Sequence, residues 1–111
     1  MLDSPVNLEE LYEIMGSDEE LIRECFKDFV ADYPDIIGEI KTAFKAQDFN
    51  ALSDGTHKLK GALSYLAAKP AFKAAQVLEQ AAKNQQNEGL AQKLAALEVS
   101  CGQLIEFIHK F

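Results

Sequence analysis

Thr56-His57-Lys58-Leu59-Lys60-Gly61-Ala62-Leu63-Ser64 is the stretch from which the fold of this chain unfolds. Each residue of an α-helix turns about 100° around the axis. On a helix Leu52, Leu59, Leu63 and Leu66 therefore gather on one apolar stripe. His57 projects away from that stripe, beside Ser53, Asp54, Lys60, Gly61 and Ser64, and is expected to face solvent. The segment is an amphipathic helix with a leucine face for a core and a polar face that carries a histidine.

That polar face has a chemical character. A neutral imidazole in water is a competent nucleophile, because one ring nitrogen keeps a free lone pair. Lys60, three residues on, shares the face and supplies a compact positive charge. Gly61 stands four residues on, where glycine costs a helix roughly 0.5–1 kcal/mol against alanine. It removes the one side chain that would stand directly beside the imidazole. An exposed nucleophile, a nearby cation and a cleared approach suit transfer of an anionic group, phosphoryl above all.

Outward from this helix the chain keeps one pattern. Ala46-Gln47-Asp48 forms the turn before it, with Asp48 as N-cap, and the helix should run to about Ala67. Pro70 fits the first turn of the next helix, where Ala71, Ala74, Ala75, Leu78 and Ala82 make a narrow stripe of small residues. Asn84 to Gly89 is polar and loop-like. After it Leu90, Leu94, Leu97, Cys101, Leu104, Ile108 and Phe111 form a heptad-like stripe.

Upstream, Ile22, Phe26, Phe29, Tyr33, Ile37, Ile40 and Phe44 recur about every 3.5 residues, the spacing of a bundle-facing seam. Pro34 lies within it, so a kink or break is expected near Asp32-Tyr33. Asn7 can cap a short first helix carrying Leu8, Leu11, Tyr12 and Met15, which Gly16 ends. No stretch alternates as a strand would. Four long amphipathic helices joined by short turns predict an all-α fold, an antiparallel up-down four-helix bundle with a short additional N-terminal helix as a lid.

Residues 1–111, 48% hydrophobic and 26% charged, fit a single domain with a single core. No run approaches the roughly 20 apolar residues of a membrane span, and Met1-Leu2-Asp3-Ser4-Pro5 lacks the basic and apolar regions of a signal peptide. A cytoplasmic location is the expectation. Cys25 and Cys101 fall in apolar-periodic stretches and are expected as buried reduced thiols. A formal net charge of −7 argues against nucleic acid or an anionic membrane as partner. Lys58, Lys60, Lys69 and Lys73 nevertheless cluster around the His57 segment, and such a patch would favour an acidic partner site.

His57-Lys58-Leu59-Lys60-Gly61, followed by Ala62, Ser64 and Ala67-Ala68, resembles the signature of histidine-containing phosphotransfer (HPt) domains, whose pattern is roughly H-x-L-K-G-(small)-x-(small)-x-x-G-(small). One departure is Ala67, where the family usually has glycine; altered packing at the helix end is the expected result. The resemblance covers roughly Glu19 to Lys110 and implies the same helical bundle. It further implies that His57 accepts a phosphoryl group from an aspartyl phosphate on one receiver domain and passes it to an aspartate on another. Lys60 would neutralise the phosphoryl oxygens and Gly61 would keep the approach open. In the family a Gln or Glu twenty-two residues after the histidine commonly orients the imidazole through Nδ1, and here that position is Glu79. No cofactor of the chain's own is implied; Mg²⁺ would reside on the partner receiver domain. The implied partners are response-regulator receiver domains and hybrid sensor histidine kinases, met by a monomer without kinase activity of its own. Docking would use an apolar patch, for which Phe72, Leu11, Tyr12 and Met15 are candidates.

Two other readings fit parts of the sequence. Asp54-x-x-His57 and Glu106-x-x-His109 mimic the acidic-x-x-His spacing of two-metal bundle sites, although both histidines fall off the apolar stripes. A non-catalytic helical adaptor would also share the bundle pattern. His109 reads as a surface residue near a helix C-terminus, and Gly38 and Gly102 as positions that relieve helix crowding.

Overall fold

Side chains that the sequence places at helix starts do begin the helices. In the computed structural model, which describes residues 4–111, Asn7 accepts a hydrogen bond from the Glu10 amide and opens α1, Leu8–Met15. Asp18 does the same through the Leu21 amide for α2, Glu19–Ala46. Asp48 caps α3, Phe49–Tyr65, through the Ala51 amide. Each such bond satisfies a donor the helix itself leaves unpaired. Pro70 lies in the first turn of α4, Lys69–Lys83, and α5 spans Leu90–Lys110 after the turn that Gly89 closes at φ 73°. The reading of Met1 to Asp3 falls outside the described residues.

Of the kink or break that Pro34 suggested, the break does not occur: α2 runs continuously through the proline. Proline removes one helical hydrogen bond and disfavours the interior by about 3 kcal/mol. Against this, Phe29 and Ile40 are buried on either side, with Tyr33, Ile36 and Ile37 packed on the core between them. Breaking the helix would expose that seam.

The four long helices pack in chain order, α2 on α3, α3 on α4 and α4 on α5, and α5 returns to α2. Short connections between successive partners make the bundle antiparallel. Its core is one cluster containing Ile22, Phe26, Ile40, Leu52, Leu59, Leu63, Leu78, Leu94, Leu97 and Leu104. The layers differ in thickness. Helices α3 and α4 approach most closely, because α4 presents the buried alanines Ala71, Ala75 and Ala82. Helices α2 and α5 are held apart by rings, with Phe26 edge-on to both Phe107 and Phe111. Of the two cysteines, Cys101 is buried as expected, and burial pushes its thiol up to about 12; Cys25 is only half-buried, at the margin of the seam.

Helix α1 closes the end where α3 passes into α4. Val6 and Leu11 are buried there, the Asn7 amide donates to the Ala67 carbonyl at 2.9 Å, and Lys69 pairs with Glu10 at 2.9 Å. Helix α3 stops at Tyr65, two residues short of the expected end, because Ala67 adopts φ 53° in the left-handed region. The Ala68 amide donates to the Leu63 carbonyl and the Ala67 amide to that of Ser64, which together form a Schellman cap. The departure from glycine at Ala67 is thus a matter of backbone conformation, where packing had been expected to change.

Candidate functional site

The close approach of α3 and α4 brings a carboxylate to the histidine. His57 stands on the outer face of α3 with its side chain 70% exposed, while the Glu79 side chain, from α4, is 4% exposed. Their polar atoms meet, Nδ1 of His57 lying 2.9 Å from Oε2 of Glu79. Lys60 Nζ is 2.6 Å from the other oxygen, Oε1, and 5.9 Å from the centroid of the half-buried Phe72 ring. Lys83, one turn beyond Glu79 on α4, places Nζ 3.5 Å from Oε2.

Burial alone would push the Glu79 carboxyl up. The hydrogen bonds from Lys60 and His57 and the charges of Lys60 and Lys83 outweigh it, and the net displacement is downward from the ordinary glutamate value. Glu79 is therefore an anion at neutral pH. An ionised carboxylate can only accept hydrogen bonds, so the imidazole proton belongs on Nδ1 and the free lone pair on Nε2. An exposed ring is thereby held in one tautomer and one orientation by a buried anchor.

Lys60 lies on the face of α3 that carries the imidazole, but not in open solvent. Its side chain is 22% exposed and engaged with Glu79, because the same alanines that admit Glu79 draw the α4 carboxylate within reach of both His57 and Lys60. Gly61 is exposed, and a Cβ built on it would meet no atom within 4 Å. No neighbouring helix packs against it. Ser53 is buried and does not share the open face, and Thr56 is buried with its hydroxyl donating to the Leu52 carbonyl at 2.7 Å. The lysine cluster is largely spoken for: Lys58 lies 3.9 Å from Glu39, Lys69 is on Glu10 and Lys60 on Glu79. Lys73 lines a groove between α1 and the α3–α4 turn, together with Leu8, Ser64, Phe72 and Gln76.

Asp54 is exposed on α3, and Glu106 and His109 are exposed on α5. Among the described residues no three His, Cys, Asp or Glu side chains gather as ligands for a metal ion. The two acidic-x-x-His pairs face solvent separately, as their positions off the apolar stripes required.

Two participants went unread in the sequence. Lys83 carries a signal of its own, the Glu-to-Lys spacing of four on one helix, but that signal has meaning only once Glu79 is placed at the site. Gly55 is the other: a Cβ there would stand 3.0 Å from Cγ1 of the buried Ile40, so this glycine lets α2 and α3 close together.

An exposed histidine anchored through Nδ1, on the second long helix of a four-helix bundle, is the arrangement that a family comparison meets here. The family model for the Hpt domain matches residues 24–107. The chain belongs to the Hpt domain family. Members of this family serve histidine phosphotransfer in phosphorelays, where they interact with receiver domains and kinases. No curated protein and no solved structure matches the chain. No helix among the described residues of this Hpt domain is long and apolar enough to cross a membrane.

Proposed function

We propose that His57 is the phosphoryl acceptor and donor of this Hpt domain. It receives the group from a receiver-domain aspartyl phosphate and returns it to an aspartate of another receiver, in relays fed by response regulators or hybrid sensor histidine kinases. The observation that carries this reading is the bond between an exposed imidazole and a buried anionic Glu79. It supports Nε2 as the nucleophilic nitrogen.

In the forward step the Nε2 lone pair attacks phosphorus. The P–O bond of the acyl phosphate breaks, and its electron pair leaves on the receiver's aspartate carboxylate. The ring is then an Nε2-phosphoryl imidazolium whose proton remains on Nδ1, donated in a hydrogen bond to the Glu79 carboxylate. The transition state is loose and in-line, so positioning and charge neutralisation supply the catalysis. Mg²⁺ held by the partner receiver would supply charge neutralisation from that side. Lys60 does so from this side, and Gly61 leaves the approach clear. The groove walled by Phe72, Leu8 and Lys73 provides the apolar surface on which a receiver would dock for a short-lived encounter.

The test is incubation with a phosphorylated receiver domain. Acid-labile, base-stable label should appear on the wild-type chain and be absent from His57→Gln, with the fold of the variant retained because an exposed ring contributes little packing. Label retained in that variant, carried by His109, overturns the assignment.

A further inference from the structure

We infer that Lys83 is a positioning residue of this site, the counter-ion that keeps Glu79 charged and partnered while Lys60 turns to the phosphoryl group. The inference rests on phosphotransfer at His57 and adds a residue and a division of labour to it.

The two lysines share one buried carboxylate. At rest Lys60 holds Oε1 at 2.6 Å in a close ion pair. That bond conflicts with its work on phosphoryl oxygens, which lie on Nε2, the ring nitrogen away from Glu79. If Lys60 leaves, it abandons a carboxylate whose side chain is 4% exposed, and a buried charge stripped of its partner is strongly unfavourable. The same moment raises the demand on Glu79. Formation of the Nε2–P bond places positive charge on the ring, and its Nδ1 proton needs an ionised acceptor. Glu79 must remain an anion just when Lys60 is called away.

Lys83 has the placement to resolve this. It lies four residues after Glu79 on α4, its side chain is 58% exposed and free to adjust, and its Nζ is 3.5 Å from Oε2. That distance exceeds the usual N–H···O range of about 2.7–3.2 Å, so Lys83 is an attending charge with slack to close in. The described charges against Glu79 come from both packed helices, Lys60 and His57 from α3 and Lys83 from α4. With Lys60 on the phosphoryl group, Lys83 is the cation that remains. An ordinary surface pair at this helical spacing differs in one respect, since there both groups are hydrated; here the acceptor is buried.

Lys83→Met and Lys83→Arg, each made in the otherwise unchanged chain and in Glu79→Gln, test the inference as a double-mutant cycle. Phosphoramidate serves as phosphoryl donor, its P–N bond breaking with release of ammonia as the Nε2–P bond forms. The readouts are the labelling rate of His57, the lifetime of the phosphohistidine by ³¹P NMR, and the melting temperature. Lys83→Met should lower the rate and the lifetime by about threefold or more, the scale of coupling within one ion-pair network. Lys83→Arg should restore both, and in Glu79→Gln neither substitution should matter, because no carboxylate then competes for Lys60. Unchanged labelling and lifetime in Lys83→Met overturn the inference, and so does an equal loss with and without Glu79. A wild-type chain that takes no phosphoryl group from phosphoramidate or from a phosphorylated receiver overturns instead the assignment of His57 itself.

Discussion

Lys60 Nζ lies 2.6 Å from Oε1 of Glu79, closer to that carboxylate than His57 or Lys83. The cation proposed to meet the phosphoryl oxygens is thus also a structural tie between α3 and α4.

The first prediction concerns that tie. Lys60→Ala should slow transfer and also lower stability, by about 1–2 kcal/mol, because it strips the strongest partner from a buried carboxylate while His57 and Lys83 remain. Urea unfolding of the variant measures it. A change within a few tenths of a kcal/mol, the ordinary result at an exposed lysine, would show that the pair contributes nothing to the fold.

Glu79 makes a second prediction, in pH. Its carboxyl titrates lower in the folded chain than in the unfolded one, so on acidification the unfolded chain takes up the proton first. The stability that ionised Glu79 contributes is then complete above the unfolded glutamate value, about 4.3, and is lost as pH falls through the lower folded value. Glu79→Gln has no such proton to bind. Melting temperatures of the two proteins between pH 7 and pH 3 should therefore draw closer in favour of the variant as pH falls below that range, whatever their offset at neutrality. A constant offset across the range would mean that the folded and unfolded carboxyls titrate alike.

A third prediction follows from Ala67. Holding an L-residue in the left-handed region costs roughly 1–2 kcal/mol, and Ala67 sits there at φ 53°. Its methyl group is buried, and losing it costs about 0.8 kcal/mol. Ala67→Gly should come out neutral to stabilising by up to about 1 kcal/mol, whereas Ala71→Gly, inside α4, should be destabilising. A clear loss at Ala67 would indicate that its methyl packs more tightly than the backbone is strained.

How much of this was legible beforehand depended on whether a feature was local or lay between helices. The capping residues Asn7 and Asp48, the leucine stripes and the exposure of His57 depend on residues a few positions apart, and the sequence shows such spacing directly. The pairing of His57 with Glu79 was available only through the family resemblance, since no local rule links residues twenty-two apart. The half-burial of Lys60 was not legible, because helical periodicity says which face a residue occupies but not how closely the next helix approaches. That distance was set by Ala71, Ala75 and Ala82 on a different element. The continuity of α2 through Pro34 was likewise decided by core contacts stronger than the local proline effect.

Two glycines on α3 give the last prediction, because their surroundings differ while their helical backbones are alike. A Cβ on Gly55 would stand 3.0 Å from Cγ1 of Ile40, a residue with no exposed surface. A Cβ on Gly61 would meet nothing within 4 Å. Alanine gains up to about 1 kcal/mol of helix propensity at either site. At Gly61 that gain stands alone, so Gly61→Ala should raise the melting temperature. At Gly55 overpacking of typically 1–3 kcal/mol opposes it, so Gly55→Ala should lower the melting temperature, with phosphotransfer per folded molecule unchanged. Gly61→Gln should fold as well as Gly61→Ala, but its longer side chain, one turn from His57 on the open face, enters the space where the phosphoryl-aspartate must arrive. Misplacement of a reacting group by about 1 Å can reduce a rate on the order of a hundredfold, and a loss of that order in transfer is the expected outcome. Melting temperature and transfer measured on the same three variants decide the matter: Gly61→Gln that transfers at the wild-type rate would show that the cleared space beside His57 has no part in access, and a Gly61→Ala that melts lower would show that the helix needs its glycine for the fold.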